Sequence, residues 1–186
     1  MVGTLKELHK ESFILLYKSL VRSHIEYGSS VWNPYKMKLI YDIEKVQKRA
    51  TKMLYMCRGK SYIERLRLLN LPCLRFGRLR GDMIEVYKIL NNFYDPCAVP
   101  KLNKNHDTRN RGHTLKLNTV GCKYDVRKFS FCNRVVNVWN SLPEHIVTSP
   151  SVNAFKNALD KLWCDEDFYL DYKGIFPGLY NNRSML

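Results

Sequence analysis

Apolar residues recur at alternating steps of three and four through most of this chain, and that period restricts its fold more than any other feature. The stretch Arg78 to Leu90 reads RLRGDMIEVYKIL, and with Phe76 just upstream its apolar positions are Phe76, Leu79, Met83, Val86 and Leu90. This is the spacing of one face of an α-helix and does not fit the two-residue alternation of a half-buried strand. The tripeptide Arg80-Gly81-Asp82, which on a loop would spell an adhesive ligand, is therefore expected inside a helix with Gly81 turned away from the core. An adhesive role is not expected from a motif this short in that setting.

The same period organises other segments. From Thr4 to Tyr27 it places Phe13, Leu16, Tyr17, Leu20, His24 and Tyr27 on one face, with His24 expected as a core-edge histidine, and Gly28 sits where such a helix would stop. A second helix is expected to start at Asn33-Pro34, where the asparagine can cap free N–H groups and the proline has none to leave unpaired. Its core seam is expected to be Leu39, Ile43, Val46, Ala50, Met53 and Cys57, with Gly59 closing it. Ser61-Tyr62-Ile63-Glu64 is a capping-box signature for a short helix through Leu66 and Leu69, and Asn70-Leu71-Pro72 breaks it from the next.

From Asn91 to Gly112 the period is lost in a run of Asn, Pro and charge, expected as a long loop. Alternation at Leu115 and Leu117, the interruption at Gly121 and the run from Tyr124 to Phe131 predict a β-hairpin. Two more helices follow, one burying Val135, Val138, Trp139 and Leu142, the other capped by Ser151 and burying Phe155, Leu159 and Leu162. The expected class is mainly α, a helical bundle of about five to six helices with one small β-hairpin. Its organisation is a basic helical segment over 1–90, a loop and hairpin over 91–130, a C-terminal helical pair over 131–163 and an irregular aromatic tail over 164–186.

Charge narrows the partner. The chain carries 31 Lys+Arg against 17 Asp+Glu, a net of +14. Between Lys36 and Arg80 there are 13 basic and 3 acidic residues, a net of +10, whereas beyond Pro150 there are 4 basic and 5 acidic, a net of −1. A basic block of this kind points to a polyanion, with nucleic acid first and an anionic membrane surface second. At about 100° per residue, Lys38, Lys45, Arg49 and Lys52 form one narrow stripe roughly 110° from the apolar seam, bordered by Asp42. Such a stripe fits phosphate contact, and it fits equally well the solvated face of an ordinary amphipathic helix. Arg75, Arg78, Arg109, Arg111, Arg127 and Lys128 extend the excess and complete the set of candidate contacts to RNA or DNA.

No comparable signal exists for catalysis. The six cysteines contain no CxxC pair, and with no apolar export segment at the N-terminus they are expected as free thiols in an intracellular protein, cytoplasmic or nuclear. Cys97, His106, His113, Cys122 and Cys132 lack zinc-like spacing, so neither a metal nor a cofactor is expected. No GxxxxGK[ST], GxSxG or HExxH occurs, and the one acidic cluster, Asp165-Glu166-Asp167, lies in the irregular tail. No run approaches membrane-span length, and no membrane partner is expected.

Five strings carry a resemblance: LLYKSLVRSHIEYGSSVWNPY (Leu15 to Tyr35), IEKVQKRATKML (Ile43 to Leu54), LNLPCLRFGRLRGDMIEVYKIL (Leu69 to Leu90), TRNRGHTLKL (Thr108 to Leu117) and FCNRVVNVWNSLPEHIVTSPSVNAFKNALDKLW (Phe131 to Trp163). In this order they resemble the C-terminal end of reverse transcriptases from non-LTR, LINE-type (jockey-like) retrotransposons. The resemblance implies a thumb or post-thumb segment that handles template and primer, with the polymerase palm as a further partner. It also implies a non-enzymatic piece, because the family's aromatic-x-Asp-Asp motif belongs to the palm and no Asp-Asp dipeptide occurs here. An alternative of another class is a helical protein-interaction or structural remnant with no nucleic-acid activity of its own.

Overall fold

A computed structural model of the chain describes residues 9–105, 113–164 and 166–175. Its regular structure is helical: α1 (Lys10–Leu16), a π-helical stretch (Tyr17–Arg22), α2 (Ser23–Glu26), α3 (Ser29–Trp32), α4 (Met37–Lys52), α5 (Tyr62–Leu69), α6 (Leu74–Leu90), α7 (Asp125–Lys128), α8 (Phe131–Asn140), α9 (Glu144–Val147) and α10 (Val152–Trp163), with 3₁₀ turns at Tyr55–Cys57 and Asp167–Tyr169. The mainly-α class expected from periodicity is what the chain adopts. None of these helices is long and apolar enough to cross a membrane.

Among the described residues there is no β-hairpin. Leu117 pairs with Lys104 in a single antiparallel bridge, flanked by Asn105 N–H to the Lys116 carbonyl at 2.8 Å and Asn118 N–H to the Asn103 carbonyl at 2.7 Å. The alternation at Leu115 and Leu117 does mark extended backbone. Its polar groups, however, are satisfied by side chains instead of a second strand: Asn140 both accepts from Leu117 N at 2.9 Å and donates to the Leu117 carbonyl at 2.8 Å, and the Trp139 indole donates to the Leu115 carbonyl at 2.8 Å. The residues expected as the returning strand are helical instead, in α7 and the start of α8.

The described residues fall into two compact units. One holds the residues up to Arg78 with Asp167–Gly174, and the other holds Leu79–Glu166. The division falls inside α6, which contributes its first turn to one unit and the rest to the other, whereas the sequence places a boundary at residue 90. Of the tail, residues 164 and 166–175 are described, and they include the 3₁₀ turn at Asp167–Tyr169. Phe168 is buried and stacks on Phe76 at 6.0 Å, and the Tyr169 carbonyl accepts from Cys73 N at 3.0 Å, so this stretch completes the core of the first unit.

In that first unit Ser61 and Glu64 form the expected capping box, with Ser61 N–H donating to the Glu64 carboxylate at 2.7 Å. Asn70 ends α5 in the left-handed region at φ 51, and Gly28 ends α2 at φ 61. The next start is later than expected: Asn33 closes α3, α4 begins at Met37, and the Asn33 side chain accepts from Arg78 Nε at 2.9 Å. Gly77 has no side chain where the Arg22–Glu26 pair, 2.6 Å between Nε and Oε1, crosses α6, and a Cβ there would collide with both.

The second unit is built around Trp139, which is fully buried. Phe155 lies 6.0 Å from it and stacks on Tyr87 at 4.5 Å, while the Tyr87 hydroxyl donates to the Ser149 carbonyl at 2.5 Å. Ser151 caps α10 as expected by accepting from Ala154 N at 3.1 Å. Leu162 is half-exposed, and Trp163 takes the buried place expected for it. The RGD tripeptide is helical, as the periodicity requires, and both of its charges are committed. Arg80 holds Asp160 through two contacts, one of them 2.7 Å from Nη2 to Oδ2, and Asp82 is buried against Arg134.

Candidate nucleic-acid interface

Helix α4 carries the densest part of the basic block, and the side it buries is not the apolar one. Ile40, Glu44, Gln47 and Thr51 face the core, whereas Leu39, Val46 and Met53 are 49%, 40% and 53% exposed. The expected seam is thus rotated away from the interior, and only Cys57, beyond the helix, is fully buried. The reason is a set of matched partners for the polar residues. Gln47 accepts from the Tyr17 hydroxyl at 2.7 Å and donates to Tyr62 Oη at 3.1 Å and to the Pro72 carbonyl at 3.0 Å. Glu44 accepts from the Tyr62 hydroxyl and, at 3.2 Å to each oxygen, from Leu74 N–H. Thr51 accepts from Arg65 Nη1 at 3.0 Å. A buried polar face satisfied in this way costs little and fixes one arrangement of the π-helical stretch, α4, α5 and the start of α6.

Burial holds the Glu44 carboxyl above its ordinary value of 4.5, with the Tyr62 and Leu74 hydrogen bonds opposing that shift. A carboxyl with a raised folded pKa binds its proton more tightly in the folded chain than in the unfolded one. The stability it contributes is therefore complete below pH 4.5 and is lost as pH rises through the folded value. Glu44→Gln does not titrate. The stability of wild type relative to Glu44→Gln should fall as pH rises above 4.5, measured by urea unfolding at a series of pH values; a difference independent of pH would show that Glu44 is ordinarily solvated.

The same rotation puts the basic stripe in solvent. Its centre lies about 140° from the buried face of α4. Lys38, Arg49 and Lys52 are exposed, and the Lys45 side chain is 43% exposed. One of the four has an acidic neighbour: Lys45 Nζ is 2.8 Å from Asp42, and this hydrogen bond lowers the Asp42 pKa and raises that of Lys45. Lys48, on the flank, is held inside the unit among the rings of Tyr41, Tyr62 and Tyr172 at 4.6, 5.1 and 4.6 Å.

The remaining candidates are dispersed. Arg78 is fully buried and donates to Asn33, so it belongs to the core of the first unit and does not present a cation to solvent. Arg75 is half-buried, its Nη1 donating to the Tyr172 carbonyl at 2.8 Å, and burial brings its pKa down to about 10. Charge alone makes both residues candidates, and charge does not distinguish an arginine that bridges backbone from one that faces water. Arg127 and Lys128 are exposed on α7 in the second unit. Arg109 and Arg111 lie outside the described residues, as does His106. Of the other residues weighed as metal ligands, His113 is buried and donates from Nε2 to the Trp139 carbonyl at 3.0 Å. All six cysteines are free thiols, with burial pushing Cys73 up to about 12.

No family model, curated protein or solved structure matches the chain.

Proposed function

We propose that the chain binds the phosphate backbone of RNA or DNA without reading sequence, through the basic face of α4. In this reading it is the template- and primer-handling C-terminal region of a non-LTR-type RNA-directed DNA polymerase and has no catalytic role of its own. The observation that carries the proposal is the placement of Lys38, Lys45, Arg49 and Lys52 together on one exposed side of a single rigid helix, with Asp42 as the only acid among them. Four cations along one helix face can each displace a counterion from a polyanion, and their mutual repulsion is relieved when they do. Arg127 and Lys128 supply further exposed cations in the second unit.

The test replaces all four stripe residues with glutamine. Gln forms helix about as well as Lys and Arg, and no buried contact of α4 is touched, so the fold is retained. Binding to unrelated RNA and DNA sequences should weaken alike, and the plot of log K against log salt should flatten by about one unit per lost contact. Unchanged affinity and slope would make the stripe a solvated surface and end the proposal. The alternative of a protein-interaction remnant draws on a different observation, the exposed seam Leu39–Val46–Met53 on the same helix.

A further inference from the structure

That seam has a pattern which specifies its own partner. Leu39, Ile43, Val46, Ala50 and Met53 follow one another at steps of four, three, four and three, the a/d spacing of a two-stranded coiled coil. Leu39, Val46 and Met53 are 40–53% exposed, and the side of α4 that packs within the unit is the polar one. Leu39, Val46 and Met53 therefore face outward along the length of the helix, with Ile43 and Ala50 half-buried between them. Large apolar surface left in water at coiled-coil spacing is the signature of an interface.

The charges beside the seam select both the occupant and its direction. Asp42, which also holds Lys45 at 2.8 Å through one oxygen, and Arg49 are exposed and occupy the two flanking positions on the seam's solvent side, one heptad apart. In a parallel pair of α4 helices Asp42 would lie beside Gln47 of the second copy and Arg49 beside Leu54, and both of these are buried within their own unit. In an antiparallel pair the flanks of like position meet, which sets Asp42 of each copy beside Arg49 of the other. Ile43 then faces Val46 and Leu39 faces Ala50, larger side chains against smaller ones. One self-complementary surface thus makes two equivalent ion pairs about a two-fold axis.

We propose that α4 pairs antiparallel with α4 of a second copy of this chain through Leu39, Ile43, Val46 and Ala50, with Asp42 and Arg49 fixing the register. The centre of the basic stripe lies roughly 110° from the seam, so Lys38, Lys45 and Lys52 of both copies remain outside the contact. The inference concerns the free chain and does not depend on nucleic-acid binding.

Sedimentation equilibrium of the full chain without nucleic acid, from micromolar to several hundred micromolar, tests it. The expected result is a reversible shift from 22.0 kDa toward twice that mass. Val46→Glu, at a position exposed enough to accept the charge in the monomer, should weaken the dimer by about tenfold or more, because pairing would bury a carboxylate from each copy. Asp42→Arg should weaken it by about tenfold, and adding Arg49→Asp should restore wild-type dimerisation by exchanging the two signs. Circular dichroism confirms that each variant keeps its helices. A chain that stays monomeric over this range overturns the proposal, as does a dimer that Val46→Glu leaves intact or a double variant no tighter than Asp42→Arg alone.

Discussion

Replacing Asp82 with alanine should lower the unfolding free energy by about 3–5 kcal/mol, the range found when one member of a buried ion pair is removed. Asp82 is 2% exposed, and both of its oxygens accept from Arg134, at 2.9 Å from Nε and 2.9 Å from Nη2. The Arg134 side chain is itself only 14% exposed. Removing the carboxylate leaves a guanidinium deep in the second unit without its counter-charge, while removing both charges leaves no such cost. The double variant Asp82→Leu with Arg134→Met should therefore recover most of what Asp82→Ala loses. Urea unfolding of the three proteins measures this. A loss below about 1 kcal/mol for Asp82→Ala would place the pair among ordinary surface contacts, and burial would then no longer keep the tripeptide from acting as an adhesive ligand.

What the sequence revealed and what it concealed differ in physical kind. Local rules held: the capping box at Ser61 and Glu64, the cap at Ser151, the stop at Gly28 and the helical setting of Arg80-Gly81-Asp82 each depend on neighbours a few residues away. Val135, Val138, Trp139 and Leu142 are buried as their spacing implies. The hairpin failed because alternation at Leu115 and Leu117 shows that backbone is extended but not what satisfies it. Asn140 and Trp139 do so from more than twenty residues away. In the tail, Phe168 and Tyr172 are placed by Phe76, Arg75 and Lys48, all distant in sequence and so out of reach of any local pattern.

On α4 the basic stripe was legible and the inward face was not. An amphipathic pattern assigns the apolar side to the core only when polar side chains have no partners to meet there. Tyr17, Tyr62, Pro72 and Leu74 supply those partners, and none can be inferred from α4 itself. One signal was available: the face opposite the Lys/Arg stripe is Ile40, Glu44, Gln47 and Thr51, and it carries no cation. For a helix this basic, the side opposite its charges locates the interior better than its apolar residues do, since a lysine is hard to bury whereas a glutamine with three partners is not. The same limit applied to Arg78, whose burial depends on Asn33, forty-five residues away.

Gln47 is the centre of that polar face, and Gln47→Ala should cost about 3–5 kcal/mol. The substitution removes three hydrogen bonds and leaves the buried Tyr17 hydroxyl and the part-buried Pro72 carbonyl without this partner, at about 1–3 kcal/mol for each stranded group. A cavity adds to the loss. Coupling separates the network from simple loss of volume. Tyr17→Phe should cost about 1 kcal/mol when Gln47 is present, because the amide oxygen loses its donor, and close to nothing when residue 47 is alanine and the hydroxyl already lacks its acceptor. Gln47→Glu should also be destabilising, because a carboxylate can accept from Tyr17 but cannot donate to the Pro72 carbonyl, and it would stand one turn from Glu44 on the same buried face. Its deficit should grow as pH rises and both carboxyls ionise, which chemical denaturation at pH 5 and pH 8 compares directly. Equal costs for Tyr17→Phe in the two backgrounds would mean that the Tyr17 to Gln47 contact of 2.7 Å does not hold α4 to the π-helical stretch.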